Sequence, residues 1–331
     1  METNKHIQFL AIGDMVTDAF IELKDAAVHC NINNVDCELC VKFGAKVPYE
    51  SVTEIRAVGN SANAACAASR LGLISGLVSA TGDDRFGEEA RETLHDEKVI
   101  TDFVYKDNRY PTNYHYVLRY GAERTILIKH APFKYVLPTS DTKVDWLYFS
   151  SIGEHALDFH HEVVKWLEDR PDTKMAFQPG TFQIKVGTEV LKDIYAKTEI
   201  FFCNLEEAQI ILKTDEKDIK KLATMIHTLG PKKVVITDGP KGLTASDGTN
   251  IYSLPMYPDP KEPVDRTGAG DATASTIVAM LAQGMEFKDA LLYGPINSMS
   301  VVMYVGAREG LLSKDKIDAY LLKAPKDYII S

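Results

Sequence analysis

The sequence predicts an α/β protein with a mostly parallel central sheet covered on both faces. Three observations point there. Short β-branched and aromatic runs alternate with longer helical patterns, and the chain turns almost wholly helical after Gly268. Its 331 residues are 45% hydrophobic and 25% charged, ample material for a large core.

Taken in order, Ile7–Ile12, Ile74–Ala80, Trp146–Ser151, Met175–Gln178, Ile200–Cys203 and Val234–Thr237 read as strands. Each is a short, uncharged run, as expected of strands buried on both faces. Between them Ser61–Leu71, Gly87–Lys98, Leu157–Glu168, Leu205–Leu212 and Asp218–Leu229 carry helical periodicity. Gly72 and Gly230 sit where a helix end favours a left-handed residue. Past Gly268 the helical patterns are Asp271–Gln283, Phe287–Tyr304 and Lys314–Leu322.

Two stretches break the alternation. Phe20–Tyr49 has weak periodicity and three of the five cysteines. Phe103–Ala131 reads as antiparallel strands, Tyr114–Arg119 and Arg124–Lys129, around a turn at Tyr120-Gly121-Ala122-Glu123. Extra β-segments on an α/β body suggest a small lid sheet, drawn from within residues 14–60 and 103–131. With no repeat or linker, residues 1–331 are expected to form a single domain carrying that lid.

Lys and Arg number 37 against 47 Asp and Glu, a formal charge of −10. That balance argues against nucleic acid or an anionic membrane as a partner, while leaving small anionic ligands open. No apolar run approaches the roughly 18 residues of a spanning helix. Met1-Glu2-Thr3-Asn4-Lys5-His6 lacks a signal-peptide profile. Cys30, Cys37, Cys40, Cys66 and Cys203 are odd in number and thinly spread, which predicts free thiols and a cytoplasmic location. His29, Cys30, Cys37 and Cys40 are zinc-type ligands, but no second spaced pair accompanies them, so buried free thiols are expected there.

The densest chemical signal is Asp265-Arg266-Thr267-Gly268-Ala269-Gly270-Asp271-Ala272, leading into a helix. Two glycines flanking one alanine expose successive N–H groups at a helix start, a ready anion hole. Asp271 falls in the first turn, where the helix dipole is expected to keep it ionised. A weak base beside an anion hole suits phosphoryl transfer. On residue types alone, the same loop also reads as a Gly-rich helix start whose Asp serves the dipole.

This segment resembles the C-terminal signature of the ribokinase/PfkB family of carbohydrate and nucleoside kinases. Five further motifs resemble that family in its own order. They are Gly13-Asp14-Met15-Val16-Thr17-Asp18, Gly59-Asn60-Ser61-Ala62-Asn63, Gly82-Asp83-Asp84-Arg85-Phe86-Gly87, Asn204-Leu205-Glu206-Glu207 and Thr237-Asp238-Gly239. The resemblance implies a ribokinase-like three-layer sandwich with a small β lid. It implies ATP-dependent phosphorylation of a sugar hydroxyl, with a nucleoside kinase or a catalytically silent ligand-binding relative as the alternatives. Lid-to-lid homodimers are implied as well.

Residue by residue, the resemblance makes Asp271 the base and the N–H groups of Gly268, Ala269 and Gly270 the cradle of the transferring phosphoryl group. Asp18, Gly59, Asn60 and Asn63 would contact the acceptor. Asn204 and Glu207 would act on the phosphates, Glu207 through Mg²⁺ and its waters. Asn204 and Glu207 also have the spacing of a helix cap. Thr237, Gly239 and Gly242 would lie along the nucleotide, with Asn297 near its base or ribose. Asp265 and Thr267 would supply oxygens to a monovalent cation such as K⁺.

Several positions depart from the family pattern. Val58 replaces the first glycine of a usual pair and is expected at negative φ, leaving the special backbone conformation to Gly59. Gln178-Pro179-Gly180 stands where Asp-Pro-Asn is common, which removes a carboxylate. Arg266 occupies a position that is usually small and is expected to point to solvent, with reach to a phosphate as the alternative. Thr273 and Thr276 replace Phe and Gly. Tyr114, His115 and Tyr116 read as strand packing, with stacking on a nucleoside base as the sharper alternative.

Overall fold

A computed structural model describes residues 5–30, 37–121 and 123–331. The N-terminal Met1–Asn4 and Ala122 of the expected turn lie outside the described residues. The central sheet has nine strands. In spatial order they are Ile251–Leu254, Leu243–Ser246, Lys233–Thr237, Thr198–Asn204, Lys174–Phe177, Thr142–Phe149, Lys5–Ile12, Ser75–Gly82 and Val104–Asp107. Only the pairings made by Leu243–Ser246 and Ile251–Leu254 are antiparallel. All other neighbours run parallel.

Side chains alternate across this sheet with period two, so each strand feeds two cores. Phe9, Tyr148, Phe202 and Val235 join one cluster with helices Asn60–Arg70, Ala269–Ala282 and Gly294–Val301. Leu147, Phe149, Phe201 and Val234 join the other with Leu157–Glu168 and Ile219–His227. Asn60–Arg70 is almost all Ala, Ser and Asn and is buried from Ser61 to Ala68. Small side chains let it lie close to the sheet and to helix Ala269–Ala282.

The extra β-structure is a four-stranded sheet in the order Tyr49–Val58, Val16–Leu23, Tyr114–Tyr120, Glu123–Leu127. Tyr114–Tyr120 and Glu123–Leu127 pair antiparallel. Val104–Asp107, expected among the antiparallel strands, instead closes the edge of the central sheet in parallel with Ser75–Gly82. Strands Val16–Leu23 and Tyr49–Val58 were not foreseen. Six residues of the latter, Tyr49–Glu54, are exposed and polar or mixed, so no apolar run marks it. The expected helix Phe287–Tyr304 is two helices, Phe287–Leu291 and Gly294–Val301, broken just before Gly294-Pro295.

The cysteine expectation needs correcting. Cys30 and Cys37 form a disulfide and both are exposed. Cys30 follows strand Ala27–His29 and Cys37 precedes its antiparallel partner Glu38–Cys40, so the disulfide staples the inner ends of a two-stranded pair too small to have a core of its own. Cys40 is partly exposed, and Cys66 and Cys203 are buried. No helix among the described residues is long and apolar enough to cross a membrane.

Candidate active site

The first strand, Lys5–Ile12, lies between Thr142–Phe149 and Ser75–Gly82, so the strand order reverses beside it. In open α/β sheets, ligand crevices open outside the carboxyl ends of the strands at such a point. Asn204 and Thr237, both expected site residues, gather at that edge with Asp14 and Gln178. Asp14 follows Lys5–Ile12, Gln178 follows Lys174–Phe177, Asn204 ends Thr198–Asn204 and Thr237 ends Lys233–Thr237.

Three cavities run along this edge. One of about 720 Å³ is bounded by Asp14, Asp18, Gly59, Asn60, Asn63, His115 and Asp271. A second, about 700 Å³, is bounded by Asn60, Gln178, Asn204, Glu207, Thr237, Gly270 and Asp271. A third, about 360 Å³, is bounded by Thr237, Gly239, Tyr257, Gly270 and Met299. The first and second share Asn60 and Asp271; the second and third share Thr237, Gly239 and Gly270. Asp271 is therefore the gate between two chambers.

Asp271 lies in the first turn of Ala269–Ala282 and is 8% exposed. Its Oδ1 accepts from Asn60 Nδ2 at 2.9 Å and from Gln178 Nε2 at 3.2 Å. Its Oδ2 accepts from Asn63 Nδ2 at 2.9 Å. Burial pushes the carboxyl above the ordinary Asp range, and the three amides oppose that shift without cancelling it. The helix dipole is expected to keep this group ionised, and burial acts against that expectation. Desolvation wins.

Gly268 takes φ 81, and a Cβ there would sit 2.2 Å from Ala307 Cβ, so only glycine makes this turn. It shapes the helix start, while Ala269 and Gly270 face the cavities. Asp265 braces the same loop. Its Oδ1 accepts from Thr267 N at 2.9 Å and Thr267 Oγ1 at 2.6 Å, and its Oδ2 from Gly306 N at 2.9 Å. Arg124 Nη1 stands 3.8 Å from Asp265 Oδ1, which makes the carboxylate a poor seat for another cation. Arg266 is exposed at the rim of the smallest cavity, near Asp259.

Gly59 caps Asn60–Arg70 at φ 113, where a Cβ would meet the Asp14 carbonyl oxygen at 2.6 Å. Val58 is absent from the non-glycine residues at positive φ; Ala57, unforeseen, adopts φ 53. Asp18 lies 3.5 Å from His115 Nδ1, and its buried Oδ1 has no hydrogen-bond partner. His115 faces the largest cavity, whereas Tyr114 donates to Glu54 at 2.6 Å and packs on Phe86 and Tyr116. The packing reading therefore holds for the tyrosines but not for the histidine between them.

Asn204 and Glu207 form a reciprocal helix cap, each side chain accepting the other's N–H at 2.8 Å. Glu207 also lines the middle cavity, and its carboxyl is raised by burial, with Asp271 and Glu206 adding to the shift against the Asn204 N–H. Two positions fall away from the cavities. Asn297 is fully buried, donating to Thr276 at 2.8 Å and accepting from Leu312 N at 2.8 Å; its neighbours Ser298 and Met299 line the third cavity instead. Gly242 takes φ 100 against the Leu254 carbonyl and shapes a turn outside the three cavities.

One cluster is not legible in the sequence. Asp14 accepts from Gly153 N at 2.9 Å and from the Tyr135 hydroxyl, and His130 Nδ1 lies 2.7 Å from its Oδ2. His155 is 3.3 Å from the Tyr135 hydroxyl. Burial works to lower the His130 pKa, but Asp14 outweighs it and the net shift is upward. Three separate segments converge here, around residues 14, 130–135 and 153–155, and only the first carries a local motif. The Gly82–Gly87 segment proves structural: Asp84 caps Arg85–Asp96 and binds Thr112 N at 2.8 Å.

Comparison with known proteins gives a consistent result. A family model described as pfkB family carbohydrate kinase matches residues 27–314. A ribokinase of Bacillus subtilis is 27% identical over 271 residues, covering 80% of this chain and 87% of its own length. The chain superimposes on an Arabidopsis thaliana ribokinase complexed with ribose and ATP at TM-score 0.79. That match has 18% identity and covers 95% of this chain and 98% of the other. A nucleoside kinase of Methanocaldococcus jannaschii matches at TM-score 0.77 and 16% identity, over 96% and 99% of the two chains.

Proposed function

The chain belongs to the pfkB family of carbohydrate kinases and is a phosphotransferase, and we propose that it phosphorylates a hydroxyl of a neutral, polyhydroxylated acceptor at the expense of ATP. The observation that carries this reading is the position of Asp271, shared by two cavities and next to the glycine-turned helix start. The acceptor occupies the largest cavity, the triphosphate the middle one and the base the smallest.

In the transfer, the acceptor O–H bond breaks and its proton passes to the Asp271 carboxylate. The oxygen bonds to the γ-phosphorus as the bond from that phosphorus to the bridging oxygen breaks, releasing ADP. The helix N–H groups at Ala269 and Gly270 meet the charge on the moving phosphoryl group, which is the main catalytic need of such a loose transition state. The donor set fits Mg²⁺, since Glu207 and Asp271 crowd one another electrostatically and Mg²⁺ favours oxygen ligands with retained waters. Glu207 would hold the ion through its waters, and Mg²⁺ there would supply neutralisation of the phosphate charge.

The acceptor cavity supports a neutral ligand. Asp14, Asp18, Glu154 and Asp271 bring four carboxylates to it, against Lys185 and three histidines, and no arginine is among its described lining residues. The nearby guanidinium of Arg308 is held by the carbonyls of Arg56 and Ala57. A phosphorylated or carboxylated acceptor would want the bidentate arginine that is missing here. A nucleoside acceptor is the second reading. Ile126 and Ile128 are 41% and 65% exposed where they border this cavity, and a base would cover them.

The test is ADP formation by the purified protein with Mg²⁺-ATP against neutral sugars, sugar phosphates, sugar acids and nucleosides. Turnover with neutral sugars or nucleosides is expected. Turnover confined to phosphorylated or acidic sugars would reject the neutral acceptor, and none with any acceptor would leave a silent binding protein.

A further inference from the structure

We propose that Gln178, pinned by Tyr148, is a positioning residue that orients Asp271 and leaves Asp271 Oδ2 as the atom that takes the acceptor proton. The proposal rests on the reading of Asp271 as the base.

Gln178 follows strand Lys174–Phe177, and its N–H continues the ladder by donating to the Phe149 carbonyl at 2.9 Å. Its backbone is thus fixed at the floor of the phosphate chamber. The side-chain amide has two dissimilar ends. Tyr148, wholly buried and stacked on Phe9, donates its hydroxyl to Gln178 Oε1. That bond decides the amide's orientation. With Oε1 turned to the tyrosine, Nε2 must point at Asp271, and it lies 3.2 Å from Oδ1. The flipped amide would set Oε1 against a carboxylate oxygen, acceptor against acceptor.

The consequence follows from counting lone pairs. A carboxylate oxygen offers about two acceptor sites. Oδ1 already receives Asn60 and Gln178, whereas Oδ2 receives only Asn63. Oδ2 keeps an open site. Two of the three donors also sort by chamber: Gln178 borders only the phosphate cavity and Asn63 only the acceptor cavity, while Asn60 borders both. The open site is therefore on the oxygen whose amide donor comes from the acceptor side. On this view the glutamine that replaces a carboxylate is a gain, because an acid at 178 would crowd a second negative charge against the base.

The experiment compares Tyr148→Phe and Gln178→Glu with the wild type in steady-state kinetics across pH. Tyr148→Phe keeps the ring packing and releases the amide; kcat should fall roughly three- to tenfold, the worth of one ordinary hydrogen bond. KM for ATP and for the acceptor should stay within about twofold, since neither residue is assigned a substrate contact. Gln178→Glu should move the acid limb of kcat upward by about one unit or more, as a like charge beside a carboxyl does. Glu207 and the Tyr148 hydroxyl, the other titratable groups facing Asp271, are retained in that variant. A wild-type kcat with an unmoved acid limb in folded Gln178→Glu overturns the proposal, and so does a change confined to KM. If Tyr148→Phe fails to fold, the Gln178→Glu profile alone decides. Asp271→Asn in the same assay separates the two levels. Its retained turnover would remove the base itself, whereas its loss beside unaffected Gln178 and Tyr148 variants removes only the positioning role.

Discussion

Asn63 Nδ2 lies 2.9 Å from Asp271 Oδ2, although 208 residues separate the two in sequence. The contact joins the helix that continues the lid strand Tyr49–Val58 to the helix that carries Asp271. Asn60, from the same turn, reaches the other oxygen. Any movement of the lid that tilts Asn60–Arg70 therefore reaches the carboxylate directly, without an intervening chain of contacts. Asn63 Oδ1 is buried and has no partner, so this amide is held only on its donor side.

Replacing Asp271 by Asn should lower turnover by roughly 10²–10⁴, the usual worth of a general base, with the protein still folded. The free Asn63 oxygen explains why folding survives: that amide turns and accepts from the new side-chain NH₂. Stability should even rise at neutral pH. The folded Asp271 carboxyl is shifted upward, so below the ordinary Asp pKa it is neutral in both states and costs nothing. As pH climbs through the raised folded value, ionising it in place costs stability, and Asn removes that cost. Thermal unfolding scans should give Asp271→Asn the higher Tm at pH 7, with the gap closing towards acid. A lower Tm for the variant at pH 7 would contradict the burial argument.

The acid limb of the wild-type kcat profile should lie above the ordinary Asp range. Protonated Asp271 cannot accept the acceptor's proton, so turnover is lost as pH falls through the raised pKa. A profile flat down to the ordinary Asp value would show that this carboxyl is not the one titrating in the rate-limiting step.

Much of this site is legible because it is local. Gly268, Ala269, Gly270 and Asp271 are consecutive, and Gly268 is forced by a turn that a Cβ would block. The buried strands are legible because both faces want apolar residues. The lid strand Tyr49–Val58 is not, since Tyr49–Glu54 keeps both faces in solvent and shows no hydrophobic period. Asn297 misleads for a related reason. A polar residue late in an α/β kinase sequence looks like a ligand contact, yet its amide spends both ends on Thr276 and Leu312 inside the core. Gln178 reads in sequence as a lost carboxylate, and its partner Tyr148 lies 30 residues away on another strand. The Asp14 cluster assembles only in three dimensions.

Asp18→Ala should raise the acceptor KM by roughly ten- to a hundredfold while leaving the ATP KM within about twofold. The range is that of one hydrogen bond to a charged group. Asp18 borders the acceptor cavity with an unpartnered buried oxygen and is absent from the other two cavities. Initial rates with each substrate varied in turn would decide it. Equal losses for both substrates would move Asp18 out of acceptor binding.

The last prediction contrasts Gly59 with Val58 at the lid junction. Gly59 sits at φ 113, and a Cβ would lie 2.6 Å from the Asp14 carbonyl oxygen. Backbone, unlike a flexible side chain, cannot step aside cheaply. Gly59→Ala should therefore destabilise by about 2 kcal/mol or more, combining backbone strain with overpacking. It should also raise the acceptor KM, because the segment pushed aside carries Asp14 into the acceptor cavity. Val58 is 3% exposed and sits outside the left-handed region, so its contribution is packing. Val58→Ala should cost about 1–3 kcal/mol through lost burial and a small cavity, and because Val58 itself borders the acceptor cavity, the acceptor KM should move less than in Gly59→Ala. Denaturant unfolding and acceptor kinetics on both variants give a two-by-two comparison. If the two losses of stability match and neither KM moves, the junction is ordinary core. If Gly59→Ala shifts the KM the more, the glycine is holding the acceptor wall in place through its contact with Asp14.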